Sequence, residues 1–207
     1  DFHLALSCGS TPEPLYRRLM YDPNFRDLPW KRVQLWIVDE RCVPLDDPHS
    51  NFKMIRETIV DHSDIPREQV HPILATQAGA DLAYERQLQE TLAWREKGHD
   101  RLDYVLLGMG ADGHTASLFP GSPALAESDR LVVSNSGPTV TPPDRITMTY
   151  RLLNASRFIA VMVTGQSKRA TIARVARPGG NPADLPILGI RPAGGELRWY
   201  LDGEACP

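Results

Sequence analysis

Cysteine is scarce. The chain of 207 residues has three, Cys8, Cys42 and Cys206, odd in number and far apart. That argues against a disulfide framework and for a reducing compartment, so a cytoplasmic location is expected. Neither a Cys-x-x-Cys nor a His-Glu-x-x-His motif occurs, so no structural zinc site, and no other metal, is expected. No run of about 18 apolar residues is present, and no membrane helix is expected. Positive charge is not in excess: 23 Lys+Arg against 26 Asp+Glu leave a formal charge of −3. A nucleic-acid partner would normally call for a basic surplus and is not expected. Repeats, low-complexity tracts and linker-like stretches are missing too. No secretory signal pattern opens the chain. It begins on a strand-like run with no Met, which leads us to expect that N-terminal residues are missing, with room for a targeting segment among them.

What remains is globular in character, with 42% hydrophobic and 24% charged residues. A chain this long buries roughly 70% of its unfolded surface, enough for one core, and a single domain over residues 1–207 is expected. Short apolar runs at Phe2–Leu6, 33–38, 102–107, 130–133 and Phe158–Val163 read as buried strands. Several are apolar on both faces, the pattern of parallel strands covered by helices. Between them lie helical segments. Residues 12–20 have Ser10 or Thr11 as cap and Pro12 in the first position. Residues 51–60 are capped by Ser50. Residues 82–97 are capped by Asp81, carry Tyr84, Leu88 and Leu92 on one face, and stop at Gly98. A last helix opens at Gly165 and ends before Pro178. Residues 134–143 and 177–186 read as loops, and Glu196–Leu201 as a final strand, with an antiparallel direction left open. Alternating strands and helices predict an α/β fold: a mostly parallel central sheet with helices on both faces, a Rossmann-like three-layer sandwich.

Chemistry-bearing residues fall where the predicted strands end. Ser7-Cys8-Gly9-Ser10-Thr11-Pro12 follows the first strand and opens a helix. Small residues there admit a ligand to backbone N–H groups, and the helix start adds partial positive charge, so the segment is either a phosphate cradle or an ordinary capped turn. Asp39-Glu40-Arg41 follows the second strand, either as ligand contacts beyond the sheet's carboxyl edge or as a solvated ion pair. Gly108-Met109-Gly110-Ala111-Asp112-Gly113-His114 matches the dinucleotide fingerprint in letter only. Pro120-Gly121 cuts off the long helix that motif needs, and no acidic residue ends the next strand. An irregular glycine loop presenting Asp112 and His114 fits better, with the carboxylate orienting the imidazole for general-base work. The other histidines, His3, His49, His62, His71 and His99, read as surface or packing residues. Arg145 and Lys168 are either phosphate clamps or surface charges.

In this order the segments resemble the 6-phosphogluconolactonase family, within the wider group that includes glucosamine-6-phosphate deaminases. The resemblance rests on Leu6 to Pro12, Asp39-Glu40-Arg41 with Ser50-Asn51, the long run from Leu107 to Gly121, Arg145-Ile146-Thr147, Gly165-Gln166-Ser167-Lys168, and Trp199-Tyr200-Leu201-Asp202. It spans nearly the whole chain. It implies hydrolysis of 6-phosphoglucono-1,5-lactone to 6-phosphogluconate in the oxidative pentose phosphate pathway, a carboxylic ester hydrolase acting on a small sugar phosphate without cofactor, as a monomer or weak oligomer. On that reading His114, Asp112 and Arg41 are catalytic. Ser7, Gly9, Ser10, Thr11, Asp39, Arg145 and Lys168 bind substrate. The alternatives are a deaminase/isomerase or a non-catalytic sugar-phosphate-binding protein. Deaminases typically carry a Glu five residues after the His, and Phe119 stands there; they tend to have Tyr where this chain has Arg41. Cys8 replaces a usual Gly, which would cost roughly 1–2 kcal/mol if that position needs a positive φ. Family members also usually have a helical segment ahead of the first strand.

Overall fold

The computed structural model describes residues 1–25, 28–93 and 101–207. Six strands form one sheet: β1 (Phe2–Leu6), β2 (Val33–Ile37), β4 (Val70–His71), β5 (Tyr104–Leu107), β8 (Phe158–Val163) and β9 (Glu196–Leu201), in the order β4-β2-β1-β5-β8-β9. Every pairing in it is parallel. The apolar runs explain why. Leu35, Trp36, Ile37, Val105, Ile159, Ala160 and Val161 are fully buried, as strands covered on both faces must be. The expectation for the tail is corrected here: β9 runs parallel to β8, pairing Phe158 with Glu196 through Val163 with Leu201.

The helices packed around the sheet are α1 (Glu13–Tyr21), α2 (Asn51–Thr58), α3 (Ala80–Thr91), α4 (Tyr150–Leu153) and α5 (Arg169–Val175), the last preceded by a 3-10 turn at Gln166–Lys168. Ser50 caps α2 as expected, its Oγ accepting from the Lys53 N–H at 3.2 Å. Two other caps differ. Pro12, not Ser10 or Thr11, occupies the cap position of α1, because the Thr11 hydroxyl is engaged elsewhere, 3.0 Å from Thr164 Oγ1. Gly79, at φ 70°, precedes α3; Asp81 sits inside the first turn, where it faces Arg130. Tyr84, Leu88 and Leu92 are buried on one face of that helix. The expected stop at Gly98 and residue His99 lie outside the described residues.

The sequence reading missed a second sheet. Strands β3 (Asp39–Arg41), β7 (Asp144–Met148) and β6 (Val132–Ser136) pair antiparallel in the order β3-β7-β6. The run at 130–133 therefore feeds this small sheet and not the parallel one. Residues 134–136, expected in a loop, are strand. The Met148 N–H donates to the Val38 carbonyl at 2.9 Å, which ties the small sheet to the end of β2.

Candidate active site

The strand order reverses between β1 and β5, and α/β sheets bind ligands beyond the carboxyl ends of their strands at such a point. A cleft of about 450 Å³ lies there. It is bordered by the segments leaving β2, β1, β5 and β8, four neighbours in the sheet, and by β7 of the small sheet. Of the expected site residues, Ser7, Gly9, Ser10, Thr11, Asp39, Arg41, His114, Arg145 and Lys168 all line it. Asp112 does not; it stands behind His114.

The turn after β1 is built on Gly9, whose φ of 142° lies where only glycine is at ease. Cys8 is not among the residues with positive φ, so the feared backbone strain falls on its neighbour and the cost does not arise. Its thiol donates to the Asn51 carbonyl at 3.4 Å, and burial first of all pushes it up to about 12, so it is an uncharged packing group.

The loop after β5 folds back on itself. The Gly110 N–H donates to the His114 carbonyl at 2.8 Å, and the Thr115 hydroxyl to the Gly108 carbonyl at 2.8 Å. No long helix follows; the next helical turn is a 3-10 turn at Pro123–Ala126, which removes the dinucleotide reading. Asp112 Oδ1 accepts from both the His114 N–H at 3.1 Å and the ring Nδ1 at 2.6 Å. A Cβ on Gly110 would sit 2.2 Å from that Nδ1, so the absence of a side chain there makes room for the pair. Burial alone would raise the Asp112 carboxyl, but the hydrogen bonds and charge of His114 hold it below the usual range. With Nδ1 turned to Asp112, Nε2 is the ring nitrogen on the other side of the imidazole. Phe119, almost fully buried, packs against the ring with centroids 5.1 Å apart, and it too borders the cleft.

Cationic groups meet across the small sheet. Arg41 and Arg145 are directly opposite in the β3–β7 register. Like charges so placed repel, and an anion between them relieves it. Arg145 is 4% exposed and donates to the Pro142 and Asp144 carbonyls. Burial, then the charge of Arg41, lowers its pKa. Arg41 donates to the His49 carbonyl at 2.5 Å. Between Asp39 and Arg41 in sequence, Glu40 turns inward. Its carboxylate accepts from the N–H groups of Arg41, Asn51 and Phe52 and from Ser50 Oγ at 2.7–3.0 Å, and so caps α2. Asp39 Oδ2 accepts from Ser117 Oγ at 2.6 Å, joining β3 to the glycine loop. Ser117 and Asn51, both bordering the cleft, are residues the sequence reading left without a role. Lys168 borders the cleft from the 3-10 turn after β8. Asp202, at the end of β9, accepts from the Gly165 N–H at 3.0 Å and fixes the start of that turn.

A parallel sheet whose carboxyl edge gathers a histidine–aspartate pair and several cationic side chains around one cleft defines an α/β protein with a site at its topological switch point. The chain belongs to the glucosamine-6-phosphate isomerase/6-phosphogluconolactonase family, whose model matches residues 1–199. It is 40% identical over 213 residues to the human GDH/6PGL endoplasmic bifunctional protein, covering 99% of this chain but only 26% of that protein, so it spans about a quarter of that relative's length. It is 39% identical to a 6-phosphogluconolactonase of a Synechocystis strain, covering 98% of this chain and 82% of the relative. The crystal structure of 6-phosphogluconolactonase from Thermotoga maritima superposes with a TM-score of 0.80 at 30% identity, covering 97% of this chain and 85% of that one.

Proposed function

We propose that this chain hydrolyses 6-phosphoglucono-1,5-lactone to 6-phosphogluconate. The observation that carries the reading is the His114–Asp112 pair at 2.6 Å on the rim of the same cleft that gathers the Gly9 turn, Arg41, Arg145 and Lys168. The phosphate lies against the N–H groups of the Gly9 turn and α1's N-terminal end, with Ser10 and Thr11 hydroxyls and Lys168 closing on it. Arg145 neutralises charge from the small sheet. His114 Nε2 takes a proton from water as the water oxygen attacks the lactone carbonyl. The tetrahedral oxyanion is stabilised by Arg41. Collapse breaks the bond to the ring oxygen, which receives the proton from His114, and the open-chain acid results. Asp39 binds a sugar hydroxyl with the carboxylate oxygen not used by Ser117. A lactone is an activated ester, so a neutral imidazole suffices and the reaction needs no metal or cofactor. The three cysteines are free in the fold, in keeping with work in a reducing compartment such as the cytoplasm.

Ring-opening deamination would need an acid where Phe119 packs on the histidine, and a phenyl ring transfers no proton. A pH-stat assay with freshly made lactone decides the matter: acid release should exceed the spontaneous rate in proportion to protein added. A rate equal to the blank, with ammonia released from glucosamine 6-phosphate instead, would reverse the assignment.

A further inference from the structure

Two buried polar atoms bordering the cleft have no hydrogen-bond partner: Ser7 Oγ and Asn51 Oδ1. Their residues are 5% and 2% exposed, so water does not serve them freely. Buried polar atoms are nearly always paired, and an orphan beside a cleft calls for a ligand group.

The two orphans ask for different things. Ser7 Oγ both donates and accepts, and so serves a phosphate oxygen or a hydroxyl. An amide oxygen only accepts. The orientation of the Asn51 amide is fixed, because its Nδ2 donates to the Asp39 carbonyl at 2.6 Å, and a flip would set two oxygens against each other. Its backbone is held as well: the N–H donates to Glu40 Oε1 at 2.7 Å and the carbonyl accepts from Cys8 Sγ. Asn51 Oδ1 is thus a rigid acceptor in a cleft otherwise furnished with cationic donors. A fully ionised phosphate offers it nothing. A sugar hydroxyl does.

We infer that Asn51 Oδ1 accepts a hydrogen bond from a hydroxyl of the bound sugar phosphate, and that this contact makes the site selective for the hydroxylated sugar over its deoxy counterpart. The inference rests on the lactonase reading for the identity of the sugar. A site built to bond a hydroxyl rejects the analogue lacking it, because the protein group is then left buried and unpaired.

The test is a binding panel alongside the kinetics. 6-Phosphogluconate and its 2-, 3- and 4-deoxy forms are titrated calorimetrically into the unaltered protein and Asn51→Ala. Asn51→Ala should weaken the parent compound at least about tenfold. One deoxy form should bind both proteins alike, a non-additivity that a purely structural defect does not produce. Should Asn51→Ala fail to fold, the panel on the unaltered protein and on Asn51→Asp, which keeps an acceptor there, still decides: both must prefer the same hydroxyl. Equal affinity for all four compounds, or an equal penalty across them on substitution, overturns the role given to Asn51. Absence of lactone turnover would instead sink the activity reading, and the panel would still judge Asn51.

Discussion

The two sheets contribute to the cleft in opposite ways. The parallel sheet is mostly apolar at its centre and sends only its connecting loops into the site: the Gly9 turn, the His114 loop and the Lys168 turn. The antiparallel sheet puts its own strands at the rim, with Arg41 facing Arg145 and Asp39 beside Thr147 in the register. The large sheet therefore supplies a scaffold and the loops that carry His114 and Lys168, while the small one places Arg41 and Arg145 on its own strands. Function placed on loops tolerates change in the strands beneath. Function placed on strands does not, because each charged side chain is also a pairing partner.

That contrast is best broken at the base. His114→Ala should lower kcat by about 10²–10⁴-fold while leaving the melting curve nearly unmoved, since the ring is presented by a loop. A loss below about fivefold in the pH-stat rate would remove His114 from the role. Next comes the small sheet. Arg145→Ala should raise KM by about 10–100-fold and lower kcat less, the mark of binding lost equally in ground and transition states. Because Arg145 is buried in β7, this variant should also unfold at lower urea, which His114→Ala should not. Glu40→Gln tests the strand-borne cap. It should cost about 1–2 kcal/mol in urea unfolding, with little change in KM, as a neutral amide is a poorer acceptor for the N–H groups it holds.

A fourth comparison uses pH and the far side of the large sheet. His71, on β4, stacks on Trp36 at 3.8 Å, donates from Nε2 to Gln34 and accepts at Nδ1 from Gln87. Burial, then the charge of His3, lowers its pKa to about 4. The unfolded chain binds a proton near pH 6.5 and the folded one does not until about 4. Stability carried by the neutral ring is thus whole above pH 6.5 and lost as pH falls from there toward 4. Replacing His71 with Gln should flatten the urea midpoint over that interval; an unchanged slope would refute the attribution. The smallest effect is expected at Cys8. Cys8→Gly should destabilise by about 0.5–1 kcal/mol through backbone entropy, where a strained cysteine would have been relieved by the change.

Four of the parallel strands, β1, β2, β5 and β8, were readable because burial leaves mostly apolar runs; the exposed β9 was read as a strand without its direction, and the two-residue β4 was not read. The site loops were readable because glycine, hydroxyl and charged residues crowd at the ends of those runs. The small sheet was not. Its central strand, Asp144–Met148, follows directly on the loop expected over 134–143 and opens with two charges, so no strand was read there. The buried Arg145 ran against the general exposure of arginine, and only the register opposite Arg41 shows why it is kept. Glu40 sat between two residues assigned to the ligand, and nothing in the spacing told that its side chain turns the other way to cap α2. Asn51 went without a role because an asparagine beginning a helix is ordinary; its significance lies in one amide oxygen left over after the other contacts are counted.

The hydroxyl pair Thr11–Thr164 joins the turn leaving β1 to the turn leaving β8, across the intervening β5. In the lactonase proposed above, that strut fixes the two halves of the phosphate seat before the sugar arrives. Little ordering entropy is then charged against association, and the pocket greets its guest as a finished socket with no need to close around it.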